Sequence, residues 1–149
     1  MISRDDACEM PDYNPPNDEI KEILKNSKII AMVGASDNPE RDSHRVMKYL
    51  LGAGYDVIPV TPGKTEILGR KAYPSLAEIP KEIEIDIVDI FRKPSALEEV
   101  VDAALKRGTK VIWMQLGLAN NKAAQKARSQ GVKVIMNKCL KIEHSKGEV

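Results

Sequence analysis

Apolar residues in this chain fall into short unbroken runs separated by helical repeats. The runs are Ile29–Val33, Val57–Val60, Ile85–Phe91, Val111–Met114 and Val132–Met136. A strand-length run with little polar alternation reads as a strand buried on both faces, as in a parallel sheet. Between the runs, apolar residues recur at helical spacing: Ile20, Ile23 and Leu24; Val46, Met47, Leu50 and Leu51; Leu97, Val100, Val101, Ala104 and Leu105. Ala123 to Ser129 reads as a further helix with a small-residue face. Asn17 or Asp18 is the expected cap of the first helix and Ser43 of the second. Ser75-Leu76-Ala77-Glu78 and Ser95 with Glu98 have the spacing of capping boxes. Gly52, Gly54, Gly108 and Gly131 supply the stops. Gly69–Tyr73 is a candidate sixth strand. The tail from Cys139 to Val149 is polar except for Leu140 and Ile142 and receives no element.

Strands alternating with helices in this way predict an α/β chain: an open doubly wound (Rossmann-like) parallel sheet of five to six strands, with helices on both faces. An eight-stranded barrel needs a longer chain than these 149 residues. Residues 1–16 carry Pro11, Pro15 and Pro16 and read as an irregular arm; residues 17–149 read as one domain. A net charge of +1 gives no global pull toward nucleic acid or a membrane. One Trp and one Phe are too few for a platform that stacks single-stranded bases. No apolar stretch is long enough to span a bilayer, and the N-terminus has no apolar signal core, so the expected compartment is the cytoplasm. Cys8 and Cys139 make neither a disulfide framework nor a metal site.

In an open α/β sheet, ligands gather beyond the strand C-termini. The candidate chemistry therefore lies in the exits. After the first strand runs Gly34-Ala35-Ser36-Asp37-Asn38-Pro39-Glu40-Arg41-Asp42-Ser43. It has no G-x-G-x-x-G fingerprint, yet it offers Ser36, Ser43, Arg41 and a helix N-terminus, a set suited to phosphate. The same residues also fit a plain surface loop with a capping serine. After the second strand, Thr61-Pro62-Gly63-Lys64 has no acidic residue for ribose hydroxyls. Lys64 favours a nucleotide with a phosphate on its ribose, unless it is only a solvent lysine in a Pro-Gly turn.

After the third strand, Phe91 lines an adenine slot or fills the core, and Arg92 and Lys93 are candidate phosphate ligands. Asp86 and Asp89 include one buried carboxylate paired with a loop donor, or are both salt-bridged edge residues. Gln115 is placed at the rim and Trp113 in the core. Cys139 is expected near the rim, where it either meets a ligand thiol or simply packs. His44 and His144 have no nucleophile in motif spacing and read as surface histidines.

The segments VGASDNPERDSHRVMKYLLGAGYDVIPVTPGK, GRKAYPSLAEI, DIVDIFRKP, VIWMQLG and NKCLKIEH occur in this order. Together they resemble the small CoA-binding protein family, which is similar to the CoA-binding domain of the succinyl-CoA synthetase α subunit. The resemblance spans roughly residues 20–145. It implies that CoA is held by Gly34, Ala35, Ser36 and Asn38, with Arg41 and Ser43, by Pro62 and Lys64, and by Ile90, Phe91 and Arg92. The stretch read here holds neither a domain with a phosphorylated histidine nor a nucleotide-grasp partner, and its first loop is less glycine-rich. The resemblance therefore implies binding of CoA or an acyl-CoA without catalysis by this chain. It implies no metal, nucleic acid or membrane. An NADP-binding module or sensor, and a subunit of an acyl-CoA-processing enzyme acting with a partner chain, stay open.

Overall fold

A computed structural model describes residues 9–147. Among them the strands are β1 (Ile29–Val33), β2 (Asp56–Val60), β3 (Glu66–Ile67), β4 (Arg70–Lys71), β5 (Ile87–Ile90), β6 (Val111–Met114) and β7 (Lys133–Ile135). The helices are α1 (Asn17–Asn26), α2 (Asp42–Gly52), α3 (Leu97–Arg107), α4 (Asn121–Ser129) and α5 (Leu140–Gly147). Five strands form one parallel sheet in the order β2-β1-β5-β6-β7. The chain leaves β1 through α2 to β2 on one side, then crosses back to β5 on the other. The boundary between β1 and β5 is the switch point of the sheet, and ligands of such sheets bind beyond the strand C-termini there.

Side-chain alternation along the strands builds two cores. Ala31, Val33, Ile58, Val60, Val88, Ile90, Ile112, Met114 and Val134 face α3 and α4. Ile30, Met32, Val57, Ile87, Val111, Trp113 and Ile135 pack with buried residues of α1, α2 and α5. Both faces being covered accounts for the unbroken apolar runs.

The large sheet has five strands, within the expected five to six. Several local features differ from the sequence reading, and the candidate sixth strand is the first of them. Leu68 (φ 51°) and Gly69 (φ 76°) reverse the chain, so Arg70–Lys71 pairs antiparallel with Glu66–Ile67 in a separate hairpin. Tyr73 joins the edge of the main sheet through one bridge to Val60, and Arg70 pairs with Asp56 of β2. Helix α1 begins with Asn17 itself behind Pro16, so neither Asn17 nor Asp18 caps it. Helix α2 begins one residue before Ser43, behind Arg41, with no side-chain cap. Ser75 makes no capping bond, and Ser95 lies inside a 3-10 turn, Pro94–Ala96, that precedes α3. The one side-chain cap seen among these helices is Asn120, whose Oδ1 accepts from Ala123 N at 3.0 Å.

The tail after Cys139 is helical. Leu140 is fully buried, and His144, 8% exposed, shares a 2.8 Å hydrogen bond with the Tyr49 hydroxyl. His144 is thus a packed residue and not a surface one. It anchors α5 by a polar contact that hydrophobic periodicity does not register.

Residues 9–16 take no regular element, yet they are tied down. Asp12 N donates to Asn121 Oδ1 at 2.9 Å, and the Arg128 guanidinium sits 5.0 Å above the Tyr13 ring. Asn14 accepts from Met136 N and donates to Met136 O, both at 2.8 Å. Cys8 lies outside the described residues. Removing the Asn14 amide leaves two backbone groups of the buried Met136 unpaired, at about 1–3 kcal/mol for each group that water fails to reach. Asn14→Ala should therefore lower the urea midpoint without changing the denaturant slope.

Candidate functional site

Everything at the rim follows from Gly34. Its φ is +92°, and a Cβ there would overlap the Phe91 carbonyl oxygen. Only glycine lets the two exits approach this closely. Gly34 N donates to Val60 O at 2.9 Å, and Phe91 N donates to Val33 O at 2.8 Å, so three strand ends are locked together.

Above them opens a cleft of about 1010 Å³. Its walls come from the exits of all the parallel strands: Gly34, Ala35 and Ser36 after β1, Thr61 after β2, Phe91, Arg92 and Lys93 after β5, Gln115, Leu116 and Leu118 after β6, and Cys139, Lys141 and Ile142 beyond β7. Glu40, Arg41, Asp42, Ser43, Arg45 and Val46 close it on the α2 side. α2 has no side-chain cap, and among the described residues the N–H groups of Asp42, Ser43, Ala35 and Ser36 find no hydrogen-bond acceptor. Four free donors, a helix N-terminus and the cations Arg41, Arg92 and Lys93 face one space. Such an arrangement can cradle an anion.

The loop that carries it is ordered by its own side chains. Asn38 N donates to Ser36 Oγ (3.1 Å), Glu40 N to Asn38 Oδ1 (3.0 Å) and Arg41 N to Asn38 O (3.0 Å). Arg45 pairs with one of the two acidic side chains on this side, donating to Asp42 Oδ1 at 2.8 Å, and it also donates to the Glu40 backbone carbonyl at 2.7 Å.

Of the residues named from the sequence, Gly34, Ala35, Ser36, Arg41, Ser43, Phe91 and Arg92 line this cleft. Asn38 braces the loop from within, and Pro62 is exposed in the turn after β2. Lys64 Nζ reaches Asp37 Oδ2 at 2.9 Å, which ties that turn to the first loop beside the cleft. The Lys64 hydrogen bond and charge hold the Asp37 carboxyl below its usual range. Ile90 is fully buried with its side chain in the α3 core, so only its backbone is near the rim. Phe91 is half-buried, packing on the α2 side while facing the cleft. Cys139 stands half-buried in the wall. Leu116, Lys141 and Ile142 were missed. The two apolar ones are exposed and break no pattern, and Lys141 and Ile142 belong to the unread helix α5.

Asp86 and Asp89 part company. Asp86 lies just before β5, at the edge away from the cleft, where it accepts from Lys28 N (2.8 Å) and Ile29 N (3.0 Å) and pairs with Lys110. Burial opposes its ionisation, but those donors outweigh burial and hold its pKa below the usual range. Asp89 is wholly buried beneath the cleft. Its Oδ1 accepts from Gln115 Nε2 at 2.7 Å, and its Oδ2 has no partner. Burial pushes it up to about 7, only partly offset by the Gln115 bond.

A family model described as a CoA-binding domain matches residues 28–145. The chain belongs to this CoA-binding family. An uncharacterized protein of Bacillus subtilis, YneT, is 47% identical over 89% of this chain and 96% of its own length. The α subunit of an ADP-forming acetate–CoA ligase of Pyrococcus furiosus is 33% identical over 76% of this chain, which spans only 28% of that subunit. Among solved structures, a hypothetical protein from Pyrococcus horikoshii superimposes with a TM-score of 0.87 at 45% identity, covering 95% of this chain and 98% of that one. A dinucleotide-forming acetyl-coenzyme A synthetase from Ca. Korarchaeum cryptofilum gives 0.66 at 26% identity over 76% of this chain and 26% of its own. The chain thus spans nearly the whole of the two small proteins and about a quarter of the ligase chains. No helix among the described residues is long and apolar enough to cross a membrane.

Asp89 leaves a mark on stability. Its carboxyl holds a proton to about pH 7 in the folded chain, against an ordinary 3.8 when unfolded. The folded state then binds the extra proton, so the stability this group contributes falls as pH rises from about 4 to 7 and levels off above. The difference in unfolding free energy between wild type and Asp89→Asn should decline across that window, by at most about 1.4 kcal/mol per pH unit. Urea melts of both proteins at several pH values would check it. A difference flat in pH would show that Asp89 is ionised throughout.

Proposed function

We propose that this chain binds CoA or an acyl-CoA in the rim cleft and performs no chemistry on it alone. The observation that carries the reading is the cradle of free N–H groups at Ala35, Ser36, Asp42 and Ser43, flanked by Arg41, Arg92 and Lys93. In a member of a CoA-binding family, such a cradle suits the pyrophosphate. Lys64, already beside the first loop through Asp37, suits the phosphate on the ribose. Phe91 offers a ring to the adenine, with the Ile90 backbone and Pro62 nearby. The arm then runs along the rim toward Gln115, Leu116 and Cys139, where an exposed leucine and Ile142 accommodate a thiol or a short acyl group.

The part without catalysis rests on the side chains at the thiol end. His144 is occupied by Tyr49, and no base is paired with Cys139. Any chemistry on the thioester then belongs to a partner chain. The cytoplasm is the compartment that fits such a ligand. The turn after β2, with a lysine and no carboxylate, also favours NADP over NAD, and that ligand is the competing reading.

CoA at a hundredfold over its dissociation constant should add about 2.7 kcal/mol of stability, read as a thermal shift. NAD should add none, and a shift with NADP but not CoA would replace this reading. Calorimetry of Arg41→Ala and Lys64→Ala should show losses of about tenfold to a hundredfold each, as for a charge-assisted hydrogen bond. Unchanged affinity in both would remove them from the site. Acetyl-CoA incubated with the purified chain, with and without ATP, should stay intact by chromatography, and turnover that tracks with the protein through repurification would make it an enzyme.

A further inference from the structure

The cleft floor contains a polar pair that anion binding does not use. Asp89 is fully buried, and among the described residues one side chain reaches it, the Gln115 amide. Gln115, 4% exposed, is itself part of the cleft wall. With its NH2 group given to Asp89 Oδ1, no donor among the described residues meets its Oε1. That oxygen keeps some exposure, and the space Gln115 borders is the cleft.

We propose that Asp89 and Gln115 form a specificity-determining pair, in which the state of the buried carboxyl decides which end of the Gln115 amide faces the ligand. This rests on the reading of the cleft as a CoA site. With Asp89 ionised, only the NH2 end can face it, and the ligand meets an acceptor, Oε1. When Asp89 takes a proton from solvent on Oδ1, its hydroxyl donates to Oε1. The amide then turns by half a rotation, and the NH2 donor faces the ligand. The unpartnered Oδ2 is also less costly on a neutral acid than on a carboxylate. The donor state suits the carbonyl of an acyl thioester, a group that free CoA lacks. The acceptor state suits the free thiol form and the N–H groups of the arm.

The shift toward neutrality lets both states exist near pH 7. It comes from the site itself. Met32 on β1 and Trp113 on β6 flank Asp89 in register. On the facing elements, Asp42 and Arg45 pair with each other, and His144 is held by Tyr49. Those groups, together with Lys141, Arg92 and Cys139, contribute nothing to the shift, which burial raises and Gln115 lowers.

The test compares CoA with acetyl-CoA by calorimetry between pH 6 and 8. Both ligands carry the same phosphates, so phosphate titration cancels in the ratio of their dissociation constants. In wild type, acetyl-CoA should gain on CoA by about two- to tenfold as the pH falls, the range of one neutral hydrogen bond. In Asp89→Asn the ratio should be flat. A wild-type ratio independent of pH, or one that varies equally in Asp89→Asn, overturns the proposal. A second measurement needs neither ligand nor variant. In labelled wild type, the Asp89 13Cγ and Gln115 15Nε2 shifts should titrate with one midpoint. If either is flat from pH 5 to 8.5, the pair is overturned whether or not CoA binds. Co-titration in a protein that fails to bind CoA removes CoA as the ligand and leaves the amide switch standing.

Discussion

The contact between Gly34 and the Phe91 carbonyl is the constraint on which the rim depends. β1 and β5 are neighbours in a parallel sheet, so their exits leave from the same edge at nearly the same height. A Cβ at position 34 would run into the Phe91 carbonyl, force the loops apart and strain the bonds to Val60 O and Val33 O. A glycine with positive φ avoids this and turns the chain sharply away from the strand. The turn leaves the next N–H groups without partners in the protein, and these are the donors of the cradle. The steric requirement and the candidate anion site are therefore one feature.

The electrostatics of the cleft show a similar economy. The α2 N-terminus carries Glu40 and Asp42, which by themselves would repel an anion. Arg45 takes the Asp42 carboxylate and the Glu40 carbonyl, leaving Arg41 uncommitted at the mouth. Asn38 and Ser36 fold the loop onto itself, so its order does not depend on a ligand. A preordered loop loses less conformational freedom on binding than a floppy one would.

The sheet was legible because burial on both faces writes continuous apolar runs, as in Ile29–Val33 and Val111–Met114. The cradle residues were legible from strand direction, which sends every exit to one rim. What escaped is where polar contacts replace hydrophobic ones. Helix α5 has one fully buried apolar anchor, Leu140, and its second anchor is the His144 bond to Tyr49. The serine caps failed for a related reason. Ser43 and Ser95 have the right residue type, but Arg41 and a 3-10 turn set the helix starts. Whether Asp86 or Asp89 would be the buried one turned on depth along β5, which spacing alone does not encode.

The two ends of the sheet are treated alike in spite of their different sequences. Beyond β7, Asn14 occupies the backbone groups of Met136 that a further strand would claim. Beyond β2, Tyr73 exchanges bonds with Pro59 and Thr61, and the β3–β4 hairpin stands alongside. A parallel sheet with open margins is a template for other chains. Here one margin is stopped by a side-chain amide and the other by a single bridging residue. A sixth strand approaching either margin would have to displace Asn14 from Met136 or Tyr73 from Pro59 and Thr61.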